Sequence, residues 1–422
     1  MTKKYQSVKG TRDLLPPETA VWAAVEETAR EVFHRFGYGE IRTPVFEETE
    51  LFVRSVGECT DVVGKQMYSF TDRKGRGLTL RPESTAAVAR AYVQHGLAEL
   101  PAPLRLYYIG PHFRYERPQK GRYRQFSQVG AELIGEDSPL ADVELLVMLV
   151  RFLESLGFAD LTVLLNSVGD GASRAAYRTV LVEYLQPHGE RLSEDSRRRL
   201  ETNPLRILDS KVEADRQILS GSPRIEDSLT AASRAHLQAV REGLEAVGVR
   251  YRMEPGLVRG LDYYTETVFE IVAEGLGAQD AIVGGGRYDQ LIKEIGGSPT
   301  PAIGFALGLD RLIEVLPGDS PQRRGTAPPA VVVAVGEVAP LEALRLADEL
   351  RRAGCSAVAE LGGRSLKSAL KRADRAAAAS VVLLGDEELA VGEATVRFLG
   401  SGEQRRVRRD DLAVLLREEA TA

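Results

Sequence analysis

FRYERPQKGRYRQFSQVGAELIG, residues 113–135, sets Arg114, Arg117, Lys120, Arg122 and Arg124 within eleven residues of a chain whose formal net charge is −6. Glu116 is the one acid among them, and Tyr115 and Tyr123 are interleaved. Pro118 and Gly121 predict a turn, so the stretch reads as strand, basic loop, strand: LRLYYIGPHFRYE rises and RQFSQVGAELIG returns. Guanidiniums carried by such a hairpin suit phosphate, because their planar paired donors match phosphate oxygens. A solvated loop is the plainer reading of the same charges. On the returning strand, however, Gln128 and Glu132 are an even number of residues apart and share a face of the sheet. Two hydrogen-bonding groups on one face, beside a phosphate-binding loop, describe a pocket for a small polar ligand.

Composition bounds what carries this hairpin. With 422 residues, 43% of them hydrophobic and 27% charged, the chain reads as an ordinary globular protein of two or three domains. Two distant cysteines, Cys59 and Cys355, and five scattered histidines supply neither a disulfide framework nor a Cys/His metal cluster. The start, MTKKYQSVKGTRDLLPPE, lacks the apolar core of a signal peptide, and no apolar run approaches membrane-spanning length. A cytoplasmic protein is expected. The acidic balance excludes a protein that coats nucleic acid by bulk charge and leaves open a locally basic site on an acidic body.

Around the hairpin the chain divides. Val21, Trp22, Val25, Ala29, Val32, Phe33 and Phe36 follow helical spacing after Pro16-Pro17, and Gly37 stops the pattern. IRTPVFEETELF reads as a strand and turn interrupted by Pro44, ELLVMLVRFLESLGF as a long apolar helix, and LTVLLN as a strand. From about Asp170 to Glu245 the composition turns charged, alanine-rich and helical, an inserted subdomain by pattern. Strands return at TVFEIVAE and around AIVGGG. PGDSPQRRGTAPP, residues 317–329, has the composition of a linker. Beyond it AVVVAVG, LEALRLADELRRAG, SAVAEL, SLKSALKRADRAAAA and SVVLLG alternate strand and helix, which predicts a small α/β domain with a largely parallel sheet, closed by a hairpin at VRFLGSGEQRRVRR.

Four further stretches carry chemistry. RGLDYYTETVFE, residues 259–270, places Arg259, Asp262, Tyr263 and Tyr264 just before a strand, where a rigid scaffold holds functional loops. A buried tyrosine pair with an Arg–Asp salt bridge would look the same in sequence. GGGRYDQL, residues 284–291, reads as a glycine-rich loop that lets a ligand approach the backbone, without the spacing of a nucleotide-binding glycine motif. PAIGFALGLDRL, residues 301–312, reads as a strand end and then a helix from near Gly308 carrying Arg311. In TLRPESTAAVARAYV, Glu83, Ser84 and Thr85 precede an amphipathic helix and could serve simply as its caps.

Together these stretches resemble the class II aminoacyl-tRNA synthetases, and within them the histidyl-tRNA synthetases, over nearly the whole chain. KGTRDLLP and RTPVFEETELFVRSVGE are similar to the first class signature, whose proline, Pro44 here, belongs to a dimer interface. Residues 113–135 resemble the second signature and PAIGFALGLDRL the third. RGLDYYTETVFE and GGGRYD resemble the two histidine-binding signatures, and the segment after 328 the anticodon-binding domain. The resemblance implies an α+β catalytic core with a mainly antiparallel sheet over residues 1–170 and 246–320. It also implies a helical insertion over 171–245 and a C-terminal α/β anticodon-binding domain over 329–422.

It further implies a reaction and its site. The substrates would be histidine, ATP with Mg²⁺ held mainly through its phosphates, and histidine tRNA, in a homodimer. Arg114 would contact the α-phosphate and the amino-acid carboxylate, Arg311 the γ-phosphate, and Glu116 and Phe126 the adenine. Glu83, Thr85, Gln128 and Glu132 would surround the histidine, with Glu83 on its ammonium. Tyr264 and Tyr288, beside Tyr263, would bind the imidazole with Glu132. Arg259 would stand at the α-phosphate, where other class II enzymes place a metal ion, and Gln128 could assist transfer to tRNA. Arg117, Gln119 and Arg122 would face the tRNA acceptor end. Two other classes stay open: the histidine-sensing regulatory subunit of ATP phosphoribosyltransferase, and an RNA-binding sensor on the same fold. The intact RGLDYY stretch and the C-terminal segment weigh against the first, and the full set of Arg114, Glu116, Arg259 and Arg311 against the second.

Overall fold

In the computed structural model, which describes residues 5–57, 60, 62–117, 121–273, 281–324, 328–335, 340–362 and 365–421, Arg114 and Arg124, which flank the basic loop, pair at the end of a long hairpin, with the Arg114 N–H donating to Arg124 O at 2.9 Å. Cys59, Gln119 and Lys120 lie outside the described residues. The chain divides into a first compact unit, Met1–Arg324, and a second, Gly325–Ala422.

The first unit has eleven described strands: β1 (Gly39–Glu40), β2 (Phe46–Glu48), β3 (Tyr68–Thr71), β4 (Gly77–Leu80), β5 (Leu104–Phe113), β6 (Gln125–Ile134), β7 (Leu161–Ser167), β8 (Tyr251–Met253), β9 (Thr265–Ala273), β10 (Ala281–Arg287) and β11 (Ala302–Gly308). Eight of them form one sheet in the order β1-β5-β6-β11-β10-β9-β7-β8, antiparallel except for the outer pairs β1–β5 and β7–β8. β5 and β6 are the two arms of the hairpin and pair in full register from Leu104 opposite Ile134 to Phe113 opposite Gln125.

Alternation along the strands decides which face is covered. Val129, Ala131 and Leu133 of β6, with Ile303, Phe305 and Leu307 of β11, point into the main core. That core is closed by helices Glu18–Arg35, Pro139–Ser155 and Ala231–Ala246, whose apolar stripes supply Val25, Phe33, Leu149, Phe152 and Leu244. Burying apolar surface of this kind is the main favourable term in folding. The even-numbered residues of β6 therefore project from the opposite face, which is left for the site.

Between β7 and β8 the chain forms the expected run of helices. Tyr177, Leu181, Ile207 and Ile218 give it a small core of its own, joined to Val258 and to Val268 of β9. Buried Asp215 ties the run together, accepting from the backbone N–H and hydroxyl of Ser193 and from the hydroxyls of Ser196 and Ser210 at 2.6–2.8 Å. The last helix, Ala231–Ala246, packs with Leu237, Val240 and Leu244 in the main core.

Two local expectations change. ETELFVRSV continues as a helix, Thr49–Val56, because Phe52, Ser55 and Val56 at helical spacing are its buried face. The glycine run 284–286 lies inside strand β10, paired on both sides, so the strand expected around AIVGGG extends through it and the loop reading of GGGRYDQL does not hold there.

The second unit contains β12 (Ala330–Ala334), β13 (Ala357–Ala359), β14 (Ser380–Leu384), β15 (Glu393–Phe398) and β16 (Gln404–Arg408) in the order β13-β12-β14-β15-β16. The first three are parallel. The expected hairpin joins the edge of β14 antiparallel, so the sheet is mixed rather than largely parallel. Helices Pro340–Arg352 and Arg409–Thr421 cover Val332, Val382 and Val396 on one face, and Leu366–Arg375 covers Val333 and Val381 on the other. Among the described residues no helix is long and apolar enough to cross a membrane.

Candidate active site

Glu132 is the centre of a buried polar cluster on that second sheet face, where Val88 and Tyr92 of helix Thr85–Gln94 pack with Ile134 of β6 and Tyr288. It is fully buried, its Oε1 accepts from Thr85 Oγ1 at 2.8 Å and Tyr108 OH at 3.4 Å, and its Oε2 accepts from Tyr288 OH at 2.5 Å. Burial, with the charge of Glu83 adding to it, pushes the Glu132 carboxyl up to about 8, while the hydroxyl donors pull the other way. The opposite strand makes room for this side chain: a Cβ on Gly304 would overlap the carboxylate.

Glu83 sits against the same cluster. Its Oε2 and Oε1 accept the N–H groups of Thr85 at 2.6 Å and Ala86 at 3.0 Å, so it caps helix Thr85–Gln94. Burial nonetheless raises its pKa. Tyr263 and Tyr264 pack with rings tilted at 51° and centroids 4.8 Å apart, and Tyr263 meets Tyr288 edge-on at 5.7 Å. The three phenols and two carboxyl groups form a chamber of hydrogen-bonding groups with aromatic walls.

Further along the same face of β6 lies a cleft of about 350 Å³, lined by Gln128, Phe126, Arg114, Glu116, Arg259 and Arg311 among others. Gln128 is buried and its Oε1 has no hydrogen-bond partner among the described residues, which leaves an acceptor directed at the site. Arg114 anchors its Nε on Pro82 O at 2.9 Å and lies 5.5 Å above the Phe126 ring. Glu116 stands between Arg114 and Arg122, at 4.0 and 3.9 Å. Arg259 pairs with Glu270 of β9, not with Asp262, and a Cβ on Gly284 would overlap its guanidinium.

Beneath Phe126 the ring of His112 tilts at 5.9 Å; His112 Nδ1 lies 3.0 Å from Gly110 O and Nε2 lies 2.7 Å from Ser84 Oγ. Burial and the charges of Arg81 and Arg114 hold the imidazole well below its usual range, so it is neutral, donating to the carbonyl and accepting from the serine.

A cleft walled by fixed guanidiniums beside a buried cluster of tyrosines and carboxyl groups, on an antiparallel sheet with a helical insertion, narrows the comparison with known proteins. A family model described as Histidyl-tRNA synthetase matches residues 10–312, and one described as Anticodon binding domain matches 329–419. The chain belongs to the histidyl-tRNA synthetase family.

Curated relatives agree. The histidine–tRNA ligase of Rhodospirillum rubrum is 51% identical over 411 residues, covering 97% of each chain, and that of Synechococcus elongatus is 49% identical, covering 96% of this chain and 93% of the relative. The apo histidyl-tRNA synthetase of Staphylococcus aureus superposes with a TM-score of 0.81 at 36% identity, over 98% of this chain and all of the other. A Bacillus halodurans structure described as an ATP phosphoribosyltransferase regulatory subunit/histidyl-tRNA synthetase is more distant, at 25% identity and a TM-score of 0.68.

For a member of this family, the fold brings most of the sequence-predicted residues to one face. Glu83, Thr85, Glu132, Tyr263, Tyr264 and Tyr288 surround the chamber, and Arg114, Glu116, Phe126, Gln128, Arg259 and Arg311 line the cleft. Arg122 lines the cleft at its rim, Arg117 is exposed, and Gln119 lies outside the described residues. Sequence reasoning passed over Tyr108, Glu270 and Asp310. Asp310 accepts from Ser127 N at 2.9 Å and from Arg12 at 3.2 Å, holding the third signature against the second. Its position beside Arg311 was the only local signal, and its partners lie 183 and 298 residues away. Arg287 of GGGRYD serves the fold: fully buried, it bonds Asp142 at 2.8 Å, and Asp142 also accepts from Thr267 at 2.6 Å.

Proposed function

We propose that the chain is a cytoplasmic, homodimeric histidine–tRNA ligase that forms histidyl-adenylate and pyrophosphate from histidine and ATP, and then passes histidine to the 3′ end of its tRNA. The observation that carries this reading is that Gln128, in the guanidinium-walled cleft, and Glu132, at the centre of the buried tyrosine and carboxyl cluster, lie on one face of β6. Histidine's imidazole is assigned to Glu132, Tyr264 and Tyr288, its ammonium to Glu83, Thr85 and Gln128, and its carboxylate to Arg114 and Arg259. The nucleotide lies along the cleft, with adenine on Phe126 beside Glu116 and the γ-phosphate at Arg311.

Attack of a histidine carboxylate oxygen on the α-phosphorus breaks the bond to pyrophosphate and spreads negative charge over phosphate oxygens. Guanidiniums already held in place stabilise that charge without reorganising. Glu270, itself in the cleft, holds Arg259 through Nη1, and Pro82 O holds Arg114 through Nε, leaving the Arg114 Nη groups for substrate.

Mg²⁺ supplies further neutralisation of the polyphosphate when bound. The carboxylates around the cleft are already engaged: Glu270 by Arg259, Glu116 by Arg114 and Arg122, Asp310 by Arg12. The metal is therefore assigned to ATP's own oxygens. In the second step the terminal 3′-hydroxyl attacks the adenylate carbonyl and releases AMP. Arg117, Gln119 and Arg122 are assigned to the acceptor end, and the second unit to the anticodon.

The dimer is assigned to the edge formed by the first signature. There Pro44, Glu47 and Leu51 border a groove of about 720 Å³, and Phe46 and Phe70 lie half-exposed beside each other at 6.5 Å. Selectivity follows from a chamber that pairs polar groups with both ends of histidine, since an amino acid lacking the ring leaves them unpaired, a penalty on the order of 10⁴-fold.

The test is exchange of labelled pyrophosphate into ATP with each of the twenty amino acids, without tRNA. Exchange with histidine alone, followed by charging of histidine tRNA, is the expected result. Histidine binding without exchange would return the chain to the sensing class.

A further inference from the structure

The loop that carries Arg259, Tyr263 and Tyr264 into β9 is held from outside the active site. Arg206, in the turn Pro204–Asp209 of the helical insertion, donates through Nη2 to Gly260 O, and its Nε lies 3.6 Å from Asp262 Oδ1. The neighbouring Asn203 donates through Nδ2 to the same Oδ1 at 2.9 Å. Arg174, on the first helix of the insertion, donates to Tyr264 O at 3.1 Å. From the other side, the N–H of Asp262 reaches Val56 O at 3.3 Å, and Gly57, at φ 98°, packs so closely that a Cβ there would meet the Asp262 carboxylate. Within residues 259–262 no side chain is fully buried.

The first half of the loop therefore takes its shape from polar tethers more than from packing, and the insertion provides three of them. Among the described residues, the insertion supplies none of those that line the cleft. A binding loop that is not held in advance must be ordered by its ligand, and affinity falls accordingly. We infer that Asn203 and Arg206 are positioning residues for the amino-acid site, so that the insertion sets the affinity for histidine in the absence of any tRNA.

This rests on the assignment of Arg259 and Tyr264 to histidine, and the experiment separates the two. Tyr264→Phe, Asn203→Ala, Arg206→Met and Arg206→Lys are compared with the parent enzyme, as full-length protein, in histidine-dependent pyrophosphate exchange without tRNA. Asn203→Ala and Arg206→Met are each expected to raise the KM for histidine by about tenfold, the worth of a lost hydrogen bond to a charged or buried partner. The KM for ATP at saturating histidine stays within about twofold of the parent, and Arg206→Lys, which keeps a donor for Gly260 O, recovers part of the loss.

An unchanged histidine KM in Asn203→Ala and Arg206→Met, while Tyr264→Phe raises it, overturns the inference and leaves the site assignment standing. An unchanged KM in Tyr264→Phe removes the assignment and the inference together. A fall in kcat alone, with both KM values unchanged, is the mark of a smaller folded fraction and also overturns it; thermal midpoints of each variant identify that case.

Discussion

Among the described residues Glu132 is fully buried and held by three hydroxyl groups and by no cation, and its burial, which the hydroxyls only partly offset, decides its proton. Its carboxyl lies at about 8 in the folded chain, against about 4.3 for a free glutamate. Between those values the folded state holds a proton that the unfolded state has released, so the contribution to stability is present at low pH and lost as pH rises towards 8. Glu132→Gln keeps the shape and cannot ionise. Its thermal midpoint is expected to fall less than the parent's between about pH 5 and pH 9, read as the difference between two series of melting curves. Equal slopes would show that the carboxyl is already ionised at neutral pH. Arg259 makes its ion pair with Glu270 at the rim of the cleft, so Arg259→Ala should leave the fold intact by circular dichroism. It should slow histidine-dependent exchange by about 10²- to 10³-fold, the usual cost of one fixed donor on developing charge.

Strand β10 shows how an element can serve a site through what it omits. Gly284 and Gly286 pair with β9 and β11, and a side chain on either would enter the space of Arg259 or Tyr264. Gly284→Ala is expected to reduce exchange at least about tenfold with little change in thermal midpoint, because a displaced arginine disrupts the cleft while the ladder hydrogen bonds survive. Retained activity would mean that the guanidinium has room to shift. Glycine is depleted in strands, so residues 284–286 read both as the end of the strand around AIVGGG and as the start of a loop in GGGRYD, and pattern alone did not choose. The hairpin was legible because both arms alternate and Pro118 and Gly121 punctuate them. Helix Thr49–Val56 was not, since its eight residues include phenylalanine and two valines, and only its buried face shows the helical period. The contacts that complete the site were equally hidden. Asp142 meets Arg287 across 145 positions and Asn203 meets Asp262 across 59, distances over which no local pattern operates. What sequence could supply was the class of each signature, and with it the residue types that converge.

The two units have separate apolar cores, one built around Phe33, Leu149 and Phe305, the other around Val332, Leu346 and Val382. Every residue assigned to histidine and ATP belongs to the first, whereas the second matches the anticodon-binding family. Adenylate formation and reading of the anticodon are thus assigned to separate bodies that bury their hydrophobic surface independently. A chain ending at Arg324 is expected to fold and to keep histidine-dependent pyrophosphate exchange within about threefold of the full chain, since it retains the whole cleft. Charging of tRNA should fall by about 10²-fold or more, because contacts spread over the anticodon no longer contribute to binding. Ionic strength separates the same two functions. Protein–phosphate contacts release counterions, so charging by the intact protein should weaken steeply between about 50 and 200 mM salt, by about 10-fold or more, while exchange, which involves no polynucleotide, changes little. If exchange by the shortened chain collapses while its melting curve remains cooperative, the second unit is needed to hold the catalytic body in its active form, and the division of labour argued from the two cores is wrong.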